Sequence, residues 1–450
     1  MSDYAERDQG TLWHPFTQQS EWADGRPLTI ERGEGNYLID TEGNRYLDAI
    51  SSMWVNMHGH DHPVIRRHIH EQLDRLAHST LLGLASPPSI ELAEKLVALA
   101  PPGIARVFFS DNGSTAMEIA LKMAFQFWQQ SGDADARRRT RFIALREAYH
   151  GDTMGAVSVG GIEAFHAAFG PLTFDVLRAE NAHCYRCPYG KTFPECDIHC
   201  LESLEGLLDA HGDEVAAVVA EPLVQAPGGM LMLPDGWLAR TRELCDRHGT
   251  LLILDEVATG FGRTGRMFAC EHEGVTPDLM ALAKGLTGGY LPLAATLATE
   301  RIYEGFLGPV ADRRQLFHGH SYTGNALGCA AALGSLEVFE TEGVLERVQQ
   351  TSAQLAKRLD ELRSLPSVGD VRQRGLMAGV ELVQDRETRQ PFDPEDRVGH
   401  LVCMAARKYG VILRPLGDVI VLMPPLSVSA EEIDLLSDVL ARCITEVTGD

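Results

Sequence analysis

Short apolar runs alternate along the chain with longer stretches of helical periodicity. Arg106–Ser110 (RVFFS) predicts a strand. After it, Met117, Leu121, Ala124 and Trp128 recur at helical spacing through 115–130. The order repeats: Val215–Glu221 as a strand, Trp237–Arg247 as a helix, Leu251–Asp255 as a strand. Phe142–Leu145 adds another strand after the basic run Arg137–Arg141, which reads as a solvated turn. Strands that are apolar throughout, separated by helices, are expected where a parallel sheet is covered on both faces. From Asn325 the pattern turns helix-rich, with short strands at Met377–Leu382 and Val419–Met423. The fold class is therefore read as α/β, a large unit with a mostly parallel central sheet plus a small α+β unit built from both termini. The expected boundaries are 1–60, 61–330 and 331–450.

Composition narrows the function. With 40 Lys and Arg against 63 Asp and Glu, the formal charge is −23, so no broad cationic face serves nucleic acid or an anionic membrane. The apolar runs are far shorter than the roughly 20 residues of a membrane helix. The opening MSDYAERDQG lacks the apolar core of an export signal, and nine cysteines suit a reducing compartment, so a cytoplasmic location is expected.

Three segments carry candidate chemistry. In LLILDEVATGFGRTG (251–265), Asp255 ends an apolar strand, where α/β proteins place ligands. In PDLMALAKGLTGG (277–289), Lys284 follows a second apolar run; a lysine drawn out of water acquires the lowered pKa that Schiff-base chemistry needs. In SDNGSTA (110–116), Gly113 and Ser114 open a helix whose free N–H groups make an anion cradle. Separately, each has an ordinary explanation: a helix cap, a surface lysine, a loop carboxylate. Together they supply what pyridoxal 5′-phosphate (PLP) requires: a lysine anchor, a carboxylate to keep the pyridine nitrogen protonated, and a phosphate site.

At this point the chain resembles the class III aminotransferases of PLP fold type I, over essentially its whole length. The segments LWHPFTQ (12–18), SSMW (51–54), AYHGDTMGAVSV (148–159), FHGHSYTGN (317–325) and LRPLGDVIVLMPP (413–425) are similar to one branch of that family, the biotin-pathway enzymes that convert 8-amino-7-oxononanoate to 7,8-diaminononanoate. An ω-amino acid or diamine aminotransferase of the same family is the alternative, and a PLP mutase or decarboxylase a more distant one.

The resemblance implies roles. Lys284 carries the cofactor and moves the proton, Asp255 meets the pyridine nitrogen, and Tyr149 stacks on the ring, with Val257 on its other face. Gly113 and Ser114 hold the phosphate, together with Ser321 and the backbone of His320 from a second subunit, so a homodimer with its active site at the interface is implied. Arg414 clamps the substrate carboxylate, while Phe16, Met53, Trp54, Asp152 and Gly319 line the substrate pocket. Members that take their amino group from S-adenosylmethionine carry Tyr and Trp where this chain has Phe16 and Met53. The SSxW and HGHSYTGN forms are more similar to the Bacillus-type, lysine-using enzymes, so L-lysine or another small donor is expected here. Glu221, closing a strand, is expected to support the loop or to pair with Arg263. Cys184, Cys187, Cys196 and Cys200 have spacings that admit structural zinc, although reduced thiols are the favoured reading and no metal is assigned. The triplet His58, His60 and His62 imitates a metal cluster but is placed at a helix start.

Overall fold

The computed structural model describes residues 4–24 and 27–450; the remaining positions of the expected N-terminal segment 1–60 lie outside the described residues. A seven-stranded sheet forms the centre, in the order Ile104–Ser110, Ala294–Thr299, Leu279–Leu282, Leu251–Asp255, Val215–Ala220, Arg141–Leu145, Leu177–Ala179. Ala294–Thr299 pairs antiparallel with both of its neighbours, and the other pairings are parallel. Every residue of Val215–Ala220, Leu251–Asp255 and Leu279–Leu282 is buried. That explains the continuous apolar runs: with helices on both faces, no position in these strands meets water.

Helix Gly113–Gln129 turns Ala116, Met117, Ala120, Leu121, Ala124 and Trp128 into one of the cores against the sheet. Trp128 also donates its indole N–H to the Ala216 carbonyl at 2.9 Å. The predicted elements recur within a few residues, Trp237–Arg247 and Met377–Leu382 with identical bounds. The basic run departs from expectation. Arg139 is half-buried, and its guanidinium donates to the carbonyls of Gly212, Val215 and His248 and to Thr250 Oγ1. A fork of donors this well matched to backbone acceptors ties loops together, which charge counting alone does not reveal.

Both ends of the chain meet in one small sheet: Ile30–Glu34, Tyr37–Asp40 and Arg45–Asp48 are extended by Val411–Ile412, with Val411 opposite Leu47. A further antiparallel sheet joins Val368–Arg374, Met377–Leu382, Val419–Leu422 and Arg414–Leu416. Residue 330, the expected boundary, falls inside helix Ala326–Thr341. No helix among the described residues is long and apolar enough to cross a membrane.

Candidate active site

The carboxyl ends of the parallel strands open into a cavity of about 450 Å³, lined among others by Gly113, Ser114, Tyr149, Asp255, Val257 and Lys284. Asp255 is the last residue of its strand, 5% exposed, and both of its oxygens are engaged from the side: Oδ1 accepts the Val257 N–H at 3.0 Å, and Oδ2 lies 2.8 Å from His150 Nδ1. Lys284 follows the adjacent strand, half-buried, with Nζ 5.3 Å from the centroid of the Trp54 ring. Burial pulls its amine below the ordinary lysine range, while the charges of Asp255 and Glu221 pull the other way.

The anion cradle has a local cause. Asn112 caps helix Gly113–Gln129, accepting from Thr115 N as Thr115 Oγ1 accepts from Asn112 N. This leaves the first N–H groups turned toward the cavity. A Cβ on Gly113 would lie 2.7 Å from Val257 Cγ1, so the helix start and the residue two after Asp255 are in contact only because position 113 has no side chain. Ser114 Oγ accepts from the Asp152 N–H at 3.1 Å, which leaves its hydroxyl proton free to donate.

Tyr149 donates its hydroxyl to Asp152 Oδ2 at 2.7 Å, and burial, followed by that carboxylate, raises its pKa. Its backbone N–H goes to Glu221 Oε2 at 3.1 Å, while Glu221 Oε1 accepts from Ala226 N at 3.2 Å. The expected Glu221–Arg263 pair does not form. Arg263 is buried and donates instead to the carbonyls of Pro424 and Asn56, and burial brings it down to about 9. Glu221 is committed to two backbone donors, and burial pushes its carboxyl well above the usual range, with Asp255 adding to the effect.

Met53 reaches the cavity from a contorted segment. Ser51, Ser52 and Trp54 all have positive φ (49°, 60° and 65°), costly for residues with a side chain. Asp48 Oδ2 takes the Ser52 N–H at 2.7 Å and Ser51 Oγ donates to the Met423 carbonyl at 2.7 Å, which pins the turn. Arg414 Nη1 donates to Met53 Sδ at 2.8 Å, which places the guanidinium beside the cavity wall.

Phe16 is 57% exposed and is linked to the site through Phe165, whose ring packs edge-on to both Phe16 (5.4 Å) and Tyr149 (6.1 Å). Gly319, His320 and Ser321 do not line the cavity of their own chain. Within its own turn the His320 N–H donates to Thr323 Oγ1 at 2.9 Å. The exposed Phe317 and Tyr322 flank this turn.

Among the described residues, no three His, Cys, Asp or Glu side chains are arranged to hold a metal. The four cysteines line one cavity of about 20 Å³, and burial pushes the Cys200 thiol up to about 12. The histidines of the triplet take separate partners, His58 with Ser335, His60 with Asp48 and His62 with Glu342, while the His58 and His62 rings lie 6.0 Å apart.

Glu221 takes the loop-supporting alternative expected of it, and His150 is the cavity residue that sequence reasoning missed. His150 lies inside the quoted AYHGDT segment, one residue after Tyr149, and that adjacency was the available signal.

Comparison with known proteins agrees with this geometry. The family description "Aminotransferase class-III" matches residues 19–444. The chain is 58% identical over 441 residues to the adenosylmethionine-8-amino-7-oxononanoate aminotransferase of Nitratidesulfovibrio vulgaris, covering 98% of this chain and 81% of that protein. It is 54% identical to the protein of the same name from Geobacter sulfurreducens, covering 98% and 97%. The crystal structure of the Methanocaldococcus jannaschii protein of that name superposes with a TM-score of 0.94 at 46% identity, over 99% of both chains. The PLP-bound amine transaminase of an uncultivated Pseudomonas species gives 0.93 at 39% identity, covering 97% and 99%.

Proposed function

Because this chain belongs to the class III aminotransferase family, we propose that it converts 8-amino-7-oxononanoate to 7,8-diaminononanoate in biotin biosynthesis, with PLP as cofactor. The observation that carries the reading is the placement of Lys284 and Asp255 after neighbouring strands, on one cavity with the Gly113–Ser114 cradle. The name shared by the relatives supports the substrate.

The residues present suit that cofactor. Lys284 would anchor it, Asp255 would accept the pyridine N–H, Gly113 and Ser114 would donate to the phosphate, and Tyr149 and Val257 would cover the ring. When bound, PLP supplies the electron sink that makes a Cα proton labile. The protein does the rest. Tyr149, fixed through both its N–H and its hydroxyl, holds one wall rigid. Lys284, with its lowered proton affinity, takes up and returns the proton at Nζ. Arg414 holds the carboxylate end of the substrate.

The active unit is read as a homodimer. Phe317 and Tyr322 are 69% and 61% exposed, an apolar surface beside Ser321 that a second copy would cover, bringing that hydroxyl to the neighbour's phosphate. The small unit is assigned to 1–60 with 331–450, the large one to 61–330, and the location to the cytoplasm. For the donor, Phe16 and Met53 support L-lysine, since the loss of a phenol and an indole weakens the platform on which an adenine would stack. The protein should take up PLP stoichiometrically and show a cofactor absorbance that Lys284→Ala abolishes; an unchanged spectrum in that variant would remove Lys284 from its role.

A further inference from the structure

The imidazoles of His318 and His320 face the helix of the anion cradle, and none of the roles above uses them. Four polar groups make consecutive contacts there. Lys122 Nζ, on helix Gly113–Gln129, lies 3.1 Å from His318 Nδ1 and also donates to the Phe317 carbonyl at 3.2 Å. His318 Nε2 lies 3.2 Å from His320 Nε2, and His320 Nδ1 lies 3.0 Å from Asp111 Oδ2. This last contact has the distance of an ion pair without the alignment of a hydrogen bond. Asp111 lines the cavity, two residues before Gly113.

Charge at the two ends fixes the protons between them. An ammonium only donates, so His318 Nδ1 accepts and the ring proton is on Nε2. An ionised carboxylate repels a lone pair, so His320 carries its proton on Nδ1 and offers a bare Nε2. The two inner nitrogens then match, one N–H against one lone pair. Burial, followed by Lys122 and His320, holds the His318 ring below the ordinary histidine range, with Glu118 opposing. One more proton on the pair leaves some contact of the series with two donors face to face, wherever it settles. The other ties of the turn escape this conflict. His78 Nε2, 2.8 Å from the Ser321 carbonyl, holds its proton in either charge state, and only its 3.2 Å contact from Asn325 would be lost.

We propose that Lys122, His318 and His320 are positioning residues, a strut that sets the turn bearing Ser321 against Asp111 and holds only while one proton lies between the two imidazoles. The proposal rests on the reading of the cavity as a PLP site completed by Ser321 of a second subunit. None of the three side chains is assigned a contact with the reacting atoms; their effect on the phosphate passes through the turn and Asp111.

PLP dissociation constants, read by fluorescence without turnover at pH 7.5 and 5.5, test this. Lys122 is exposed, and in Lys122→Gln an amide replaces the fixed donor with a group that donates or accepts. The extra proton is then accommodated, while titration of PLP itself is common to all variants. The ratio of the constants at pH 5.5 and 7.5 should be about threefold or more larger in wild type than in Lys122→Gln, the fold-change of one net hydrogen bond. His318→Leu should bind PLP more weakly than wild type already at pH 7.5, with a ratio as small as that of Lys122→Gln. Equal ratios in wild type and Lys122→Gln, or wild-type affinity in His318→Leu at pH 7.5, would overturn the strut. Should His318→Leu fail to fold, the Lys122→Gln ratio decides. Wild-type protein that takes up no PLP would defeat the functional reading alone. Amide exchange of residues 317–323 in the apoprotein would still judge the strut: at pH 5.5 it should be faster in wild type than in Lys122→Gln, and equal rates would refute it.

Discussion

Arg414 Nη1 donates to the thioether of Met53 at 2.8 Å, so the guanidinium assigned to the substrate carboxylate is held by a sulfur. A thioether is a weak acceptor, and a carboxylate taking two parallel N–H bonds displaces it readily. Arg414→Ala is expected to raise KM for 8-amino-7-oxononanoate about 10- to 100-fold, equivalent to one or more charge-assisted bonds, with a smaller effect on kcat. Arg414→Lys should recover only part of this, because a point charge lacks the fork. Steady-state kinetics with the acceptor varied reads the split; equal KM in all three proteins would place the carboxylate elsewhere.

Gly113 and Val257 form a contact with no room for a methyl group, the built Cβ coming to 2.7 Å. Gly113→Ala should therefore displace the helix start or the residue after the Asp255 loop, and weaken PLP binding by about tenfold or more. Val257→Ala added to it removes the obstructing methyls and should restore part of the affinity. The double-mutant cycle is the check: additive losses would show that the two positions act independently.

The donor reading turns on Phe16 and Met53. Mixed with the PLP-loaded protein, L-lysine should convert the bound cofactor to its aminated form, seen as an absorbance change, faster than S-adenosylmethionine does. Phe16→Tyr with Met53→Trp should shift the ratio toward S-adenosylmethionine. Rapid conversion by S-adenosylmethionine with none by lysine would reverse the assignment and match the donor in the relatives' names.

His58 makes the fold sensitive to acid. Burial, then the positive neighbours His62, Arg347 and Arg263, brings its pKa down to about 3, while the ring donates to or accepts from Ser335 Oγ at 3.0 Å. Below about pH 6.5 the unfolded chain takes up a proton that the folded chain refuses until about pH 3, so stability falls as pH drops through that window. The slope from one such group is at most ~1.4 kcal/mol per pH unit. His58→Gln retains a polar partner for Ser335 without the titration. Its Tm should fall less steeply than wild type between pH 6.5 and 4; parallel melting curves would exclude His58 as a source of acid lability.

The legible parts of this chain are those whose cause is local. Leu251–Asp255 could be read because burial on both faces forces every residue to be apolar, and the ends of such strands are where ligands sit. The helix start at Gly113 could be read because SDNGSTA sets small, cap-forming residues between a strand and a helical run. The His150–Asp255 bond was not legible, since its partners lie 105 residues apart and neither residue carries a sign of the other. Arg263 misled for a related reason: a buried arginine needs acceptors, and its acceptors are the carbonyls of Pro424 and Asn56, which carry no side-chain signature. Arg139 was hidden in a run of like charges, although its guanidinium points inward at four acceptors. The turn at Ser51–Trp54 is encoded by what pins it, Asp48 and the Met423 carbonyl, and not by its own preferences.

The central claim is that Lys284 and Asp255 serve the amination of 8-amino-7-oxononanoate. Mass spectrometry of a reaction containing the PLP-loaded protein, this acceptor and L-lysine or S-adenosylmethionine tests it most directly. The account predicts 7,8-diaminononanoate from wild type with at least one of the two donors, and none from Lys284→Ala. An enzyme that aminates simple ketones or aldehydes at speed yet yields no 7,8-diaminononanoate with either donor would contradict it.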